Sequence, residues 1–144
     1  MQKKVVKLLS EMIKINSITP DVKCIEFVKN YLEKLGFLCE YVIFKDTANL
    51  YAKIGYKEEL SKNVTNLCFA GHTDVVPLID KNLWKFDPFS AKIDDDKLYG
   101  RGSIDMKSGI AAFIIATSLG EIGNGVIWTV AAPPKGGICV IFIS

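Results

Sequence analysis

In the opening stretch "VVKLLSEMIKI", Val5, Leu8, Leu9, Met12 and Ile13 recur at helical intervals with lysines on the opposite side, a pattern that predicts an amphipathic helix. This helix is expected to end near "NSITPD", where Pro20 and Asp21 break one helix and open the next. The second helix runs through Ile25, Phe27, Val28, Tyr31, Leu32 and Leu35 to Gly36, a suitable cap. The period then changes. "FLCEYVIF" and "ANLYAKIG" are short β-rich segments separated by "KDT", and they fit an antiparallel pair or two neighbouring strands. "TNLCFAG" is more continuously apolar and predicts a central strand.

Further along, "FSAKIDDDKLYGRG" reads as a hairpin in which "SAKI" and "KLYG" flank a solvated turn at Asp94, Asp95 and Asp96. "DMKSGIAAFIIATSL" predicts a helix beginning at Asp105, and "GGICVIFIS" a final buried strand. Helices alternating with strands give an α/β class with a mixed or largely parallel sheet. Between these last two elements, "GEIGNGVIWTVAAPPKGG" is too rich in glycine and proline for a helix or a clean connection.

Composition narrows the partners more than the fold. With 144 residues, 49% hydrophobic and 24% charged, the chain suits a single soluble globular domain. Its net charge is +2 and its lysines are scattered among acids, so there is no nucleic-acid or polybasic membrane footprint, and small-molecule partners are expected. Cys24, Cys39, Cys68 and Cys139 have no C-x-x-C spacing and lie in apolar or amphipathic stretches, which suggests buried thiols in a reducing cytoplasm. Residues 1–15 lack the pattern of a signal peptide, and the longest apolar run, "GIAAFIIA", is too short to span a bilayer.

Two motifs carry candidate chemistry. In "CFAGHTDVVP", His72 is the sole histidine of the chain, and Asp74 follows at i+2, so both can project from one face of a strand end. One imidazole nitrogen could bind zinc while Asp74 accepts from the other; equally, the histidine could simply cap the strand against Asp74. In "YGRGSIDMKSG", Gly100 and Gly102 allow a pliable approach, and Gly109 allows close helix packing. Asp105 there could be a plain helix N-cap or a carboxylate bridging two cations at a strand-to-helix junction. The glycines do not form G-x-G-x-x-G after a strand, which excludes a dinucleotide fingerprint.

Taken together, "FAGHTDVVP" followed by "LWKFDPFSAKIDDDKLYGRGSIDMKSGIAA" resembles the dizinc aminoacylase and carboxypeptidase family, and within it the desuccinylases. The likeness covers roughly residues 1–119, including "INSITPD". The resemblance implies part of a three-layer catalytic domain of a zinc-exopeptidase-like α/β fold, with a mixed, mostly parallel sheet and flanking helices. It implies His72 as a ligand of one zinc, Asp74 as the catalytic-site carboxylate that orients it, Asp105 as the carboxylate bridging both metals, and a cis peptide after Asp105. Cobalt could replace one zinc. The implied reaction is metal-dependent hydrolysis of a linear amide, with deacetylases and dipeptidases of the family sharing both motifs.

The same resemblance implies that residues 1–144 are the N-terminal part of the catalytic domain, without its later part or the separate dimerisation domain, so the homodimer of complete relatives is not expected. The family's adjacent Glu-Glu, a further acid and a second histidine would come after a strand like "GGICVIFIS", and the chain ends at Ser144. On that pattern the polypeptide should bind metal weakly and not turn over by itself; a non-catalytic remnant is the competing expectation. Ser108 stands where relatives often have glycine, which could change how closely the helix approaches the site.

Overall fold

The computed structural model describes residues 1–19, 22–45, 47–54, 67–119 and 138–143, with side chains described up to Ser118. Helix α1 (Gln2–Lys14) forms where the apolar stripe predicts it and buries Leu8, Leu9, Met12 and Ile13. Helix α2 (Lys23–Lys34) buries Cys24, Ile25, Val28 and Leu32. It ends as expected at Gly36, whose φ of 90° is open to glycine. The Gly36 N–H donates to the Glu33 carbonyl at 2.9 Å and the Phe37 N–H to that of Leu32 at 3.1 Å, the paired bonds of a Schellman motif. The expected break at Pro20 and Asp21 lies outside the described residues, as does the stretch 120–136.

Strands β1 (Leu38–Phe44) and β2 (Thr47–Ile54) pair antiparallel in unbroken register from Leu38 opposite Lys53 to Phe44 opposite Thr47. Strand β3 (Leu67–His72) and the late strand β6 (Ile138–Ile143) complete a sheet of order β1-β2-β6-β3. "TNLCFAG" is therefore an edge strand among the described residues, and the interior place it was expected to fill belongs to β6. Leu67, Cys68 and Ala70 of β3 are exposed. The sheet is mixed, but only β3–β6 is parallel, while β1–β2 and β2–β6 are antiparallel, so parallel pairing does not dominate here.

The helices share one face of this sheet. Leu8, Met12, Ile25, Val28, Leu50, Ala52, Ile110 and Ile114 belong to one buried cluster, and Phe69 of β3 stacks on Phe113 of the third helix at 4.4 Å. Burial of such side chains contributes roughly 1.5–3 kcal/mol each. The opposite face carries exposed Leu38, Val42 and Phe44 on β1. The thiols also depart from expectation: Cys24 is buried and Cys39 half-buried, but Cys68 is exposed. Burial pushes the Cys39 thiol up to about 11. No helix among the described residues is long and apolar enough to cross a membrane.

Strands β4 (Lys92–Asp94) and β5 (Lys97–Tyr99) make the expected hairpin. Asp95 and Asp96 have φ of 48° and 59°, the left-handed pair that a two-residue type I′ turn needs and that aspartate tolerates. Helix α3 (Lys107–Leu119) begins two residues later than its sequence suggests, because residues 101–106 are in turns. Gly109 is not needed for close packing, since a Cβ there would meet nothing nearer than 3.9 Å. Gly100 is needed: a Cβ would collide with the Ile13 side chain.

Candidate metal centre

Strand β3 delivers His72 to its C-terminal end, and the chain then runs beside the segment that leaves α1. The Val75 N–H donates to the Ser17 carbonyl at 2.8 Å, Ile18 and Val75 form a parallel bridge, and buried Ser17 donates its hydroxyl to the Thr73 carbonyl at 2.8 Å. These bonds fix the path of Thr73 and Asp74. The Asp74 side chain turns back on the imidazole, with Oδ1 at 3.2 Å and its own carbonyl at 3.1 Å from His72 Nδ1. Asp74 Oδ2 accepts from the Thr19 hydroxyl at 2.8 Å.

Asp105 arrives from the other side, at the turn preceding α3. Its peptide bond to Met106 is cis, as the family likeness implies. Its Oδ1 lies 3.2 Å from His72 Nε2, so the structure brings His72, Asp74 and Asp105 together. Asp105 is not the helix cap: α3 starts at Lys107, whose N–H donates to the Gly102 carbonyl.

This arrangement poses an electrostatic problem. Both ring nitrogens of His72 face oxygens that can only accept, Asp74 on one side and Asp105 on the other. A neutral imidazole that donates from Nδ1 to Asp74 points its Nε2 lone pair at the Asp105 carboxylate. Something positive has to sit between them. A proton can fill this place: burial opposes the charged ring, yet the Asp74 carbonyl and the Asp105 carboxylate together raise its pKa above the ordinary 6.5. The alternative is a metal ion.

The observed separation suits a metal. Two ligand atoms each about 2.0–2.1 Å from a tetrahedral zinc lie about 3.3 Å apart, and here they are 3.2 Å apart. An imidazole nitrogen and a carboxylate oxygen are ordinary zinc donors, and Asp74 holds Nδ1 in the donor tautomer that leaves Nε2 as ligand. Asp105 is 85% exposed at its side chain and His72 36%, so an ion could reach them. Among the described residues no group of three or more His, Cys, Asp or Glu converges on a metal position, and the facing donors there are His72 and Asp105.

The raised pKa gives a pH prediction. Protonated His72 stabilises the fold fully below the ordinary imidazole range, and that contribution is lost as pH rises through the raised value. Zinc competes with this proton, so its affinity should climb over the same window. NMR titration of the single imidazole should show a pKa above 6.5 that falls in Asp105→Asn. A value at or below the ordinary one would contradict the geometry.

The site opens into a cavity of about 670 Å³ whose walls include His72, Asp74, Trp84, Tyr99, Arg101 and Asp105. Arg101 lies over the Trp84 ring at 4.9 Å, with its Nε buried and without a hydrogen-bond partner. Sequence reasoning missed Arg101, Thr19, Ser17 and Lys107. All except Arg101 act through contacts with distant parts of the chain. Ser108 returns its hydroxyl to the Ile104 carbonyl at 3.3 Å.

Residues 68–131 match the model of peptidase family M20/M25/M40. The chain is 45% identical over 139 residues to a succinyl-diaminopimelate desuccinylase of Ehrlichia canis, covering 91% of this chain and 35% of the relative. It is 50% identical over 113 residues to the enzyme of that name from Psychromonas ingrahamii, covering 78% of this chain and 28% of that one. It thus spans about a third of the length of the curated relatives it matches. Among solved structures it resembles the M20 family metallo-carboxypeptidase Sso-CP2 of Sulfolobus solfataricus, with a TM-score of 0.76 at 24% identity over 96% of this chain and 30% of that one. That likeness bears on the fold alone.

Proposed function

This chain carries part of the M20/M25/M40 peptidase domain, and from that premise we propose that it supplies the His72–Asp105 half of a zinc site that hydrolyses the amide of N-succinyl-LL-2,6-diaminopimelate to succinate and LL-2,6-diaminopimelate. The observation that carries this reading is the facing pair of electron-pair donors, Nε2 and Oδ1, held 3.2 Å apart. A bound zinc or cobalt ion would supply Lewis-acid activation of water and of the amide carbonyl. His72 would hold the ion through Nε2 and Asp105 through its carboxylate, while Asp74 keeps the ring oriented from Nδ1. Neither acid is placed to act as base, because Asp74 is held by Nδ1 and Thr19 and Asp105 faces the ligand position. The general base has to come from outside the described residues.

Two cations, Lys97 and Arg101, line the same cavity, which supports an acyl group that ends in a second carboxylate. The reduced thiols of Cys24, Cys39 and Cys68 support a cytoplasmic setting. With two protein ligands among the described residues, where catalytic zinc commonly has three plus water, the chain by itself should bind zinc weakly and release no succinate.

The decisive experiment grafts residues 68–119 into the Ehrlichia canis relative in place of its matching segment. The chimaera should hydrolyse the succinyl substrate in preference to its acetyl counterpart, and His72→Ala in the graft should abolish turnover. A folded chimaera that is inactive, or one that prefers acetyl, would overturn the proposal.

A further inference from the structure

Residues 15–19 and Lys107 are not ligands in the chemistry above, yet they bond to the segments that carry it. Lys107 is fully buried, and its Nζ donates to the carbonyls of Met12 at 2.9 Å and Ile15 at 3.2 Å. These are carbonyls at the end of α1, where a helix leaves its last acceptors without intrahelical partners and where its dipole favours a cation. Two residues before Lys107 stands Asp105; two to four residues beyond Ile15 stand Ser17 and Thr19, bonded to Thr73 and Asp74. Asp74 in turn holds His72, and His72 faces Asp105.

The contacts therefore close a ring: Lys107 to the end of α1, α1 through Ser17 and Thr19 to Asp74, Asp74 to His72, and His72 to Asp105, which adjoins Lys107. His72 and Asp105 are 33 positions apart and lie on different elements. Among the described residues β3 also meets α3 and the turn before it through Phe69 stacked on Phe113 and through Gly71 beside Met106 and Ile110. Adding the ring fixes the separation at the site itself.

We propose that Lys107, Ser17 and Thr19 are positioning residues: together they set the distance between Nε2 of His72 and the Asp105 carboxylate, and so tune metal affinity without touching the metal. The inference rests on the reading of His72 and Asp105 as zinc ligands. Outer groups that orient a ligand commonly change metal affinity 10–100-fold when removed.

The test uses the whole 144-residue chain with one histidine, so a long-range 1H–15N spectrum contains a single imidazole. Lys107→Met keeps the length of the stem and removes the donors; Thr19→Val keeps the shape and removes the hydroxyl bond to Asp74. Each is compared with the parent by thermal melting, by the imidazole spectrum without metal, and by zinc titration calorimetry. Ile114→Val, in the core away from the site, is the control for plain destabilisation.

Thr19→Val should stay folded, shift the Nδ1 and Nε2 resonances, and weaken zinc binding by about 10–100-fold. Lys107→Met should shift the same resonances, Lys107→Arg should restore them in part, and the Lys107→Met/Thr19→Val double variant should lose less than the product of the two single losses, since both act on one ring. Ile114→Val should lower the melting temperature and leave spectrum and affinity unchanged. If Thr19→Val folds with the parent spectrum and the parent zinc affinity, the proposal is wrong. If the parent itself binds no zinc, the metal reading fails, and the metal-free imidazole spectra still decide whether the ring holds His72.

Discussion

Replacing His72 by alanine is expected to lower the zinc affinity of this chain by at least about 100-fold, the upper end of what loss of a merely orienting group produces. The reason is the ligand count. With only His72 and Asp105 facing each other across the candidate position, loss of one leaves a single exposed carboxylate. A lone carboxylate in water holds a divalent ion little better than its hydration shell does. The fold should survive, because His72 ends an edge strand and its side chain is 36% exposed, outside the buried cluster. Zinc titration calorimetry beside far-UV circular dichroism separates the two effects. Asp74→Asn should fall in the milder 10–100-fold class, since it alters the partners of Nδ1 and of Thr19 but removes no ligand atom. Unchanged zinc affinity in folded His72→Ala would remove the metal site altogether.

How much of this could be read in advance differs by element for physical reasons. The helices α1 and α2 were legible because their apolar residues repeat locally, and the Asp95–Asp96 turn because the backbone it needs is one that aspartate tolerates. Strand order was not legible. "NLCFAG" and "ICVIFI" are both continuous apolar runs, and nothing local distinguishes the edge strand from the interior one. The exposure of Cys68 follows from that same edge position on a face the described helices do not cover.

The candidate site divides along the same line. His72 and Asp74 share a strand end two residues apart, which spacing alone can show, and Asp105 came from the family likeness and the strand-to-helix junction. Nothing in the sequence around Lys107 singles it out. Its burial depends on the two α1 carbonyls over 90 positions away, a contact no local pattern encodes. The early segment 15–19 escaped for the same reason, since Ser17 and Thr19 act only through partners more than 50 positions distant.

Gly102→Ala should destabilise the chain strongly through a single methyl added beside the site. Gly102 has φ of 81°, in the left-handed region, where an L-residue with a Cβ costs about 1–2 kcal/mol. Space is lacking as well: the new Cβ would lie 2.9 Å from Val75 Cγ1 and 3.2 Å from Lys107 Cδ. Both neighbours are held, Val75 by the Ser17 carbonyl and Lys107 by the end of α1, so neither yields cheaply. Overpacking of that kind costs about 1–3 kcal/mol, and with the backbone term the loss is about 2–5 kcal/mol, a large share of the 5–15 kcal/mol of a typical domain. The melting temperature should fall by on the order of 10 °C. Gly109→Ala makes the opposite case within the same motif, because its Cβ would meet nothing nearer than 3.9 Å and it lies within α3. There alanine should stabilise by about 0.5–1 kcal/mol through helix propensity. The two variants differ by one methyl each from the parent, so melts of opposite sign isolate the junction at Gly102 as the cause. Equal stability of Gly102→Ala and the parent would mean that the Val75–Gly102–Lys107 contact, and with it the rigid link between the two halves of the site, is not formed in solution.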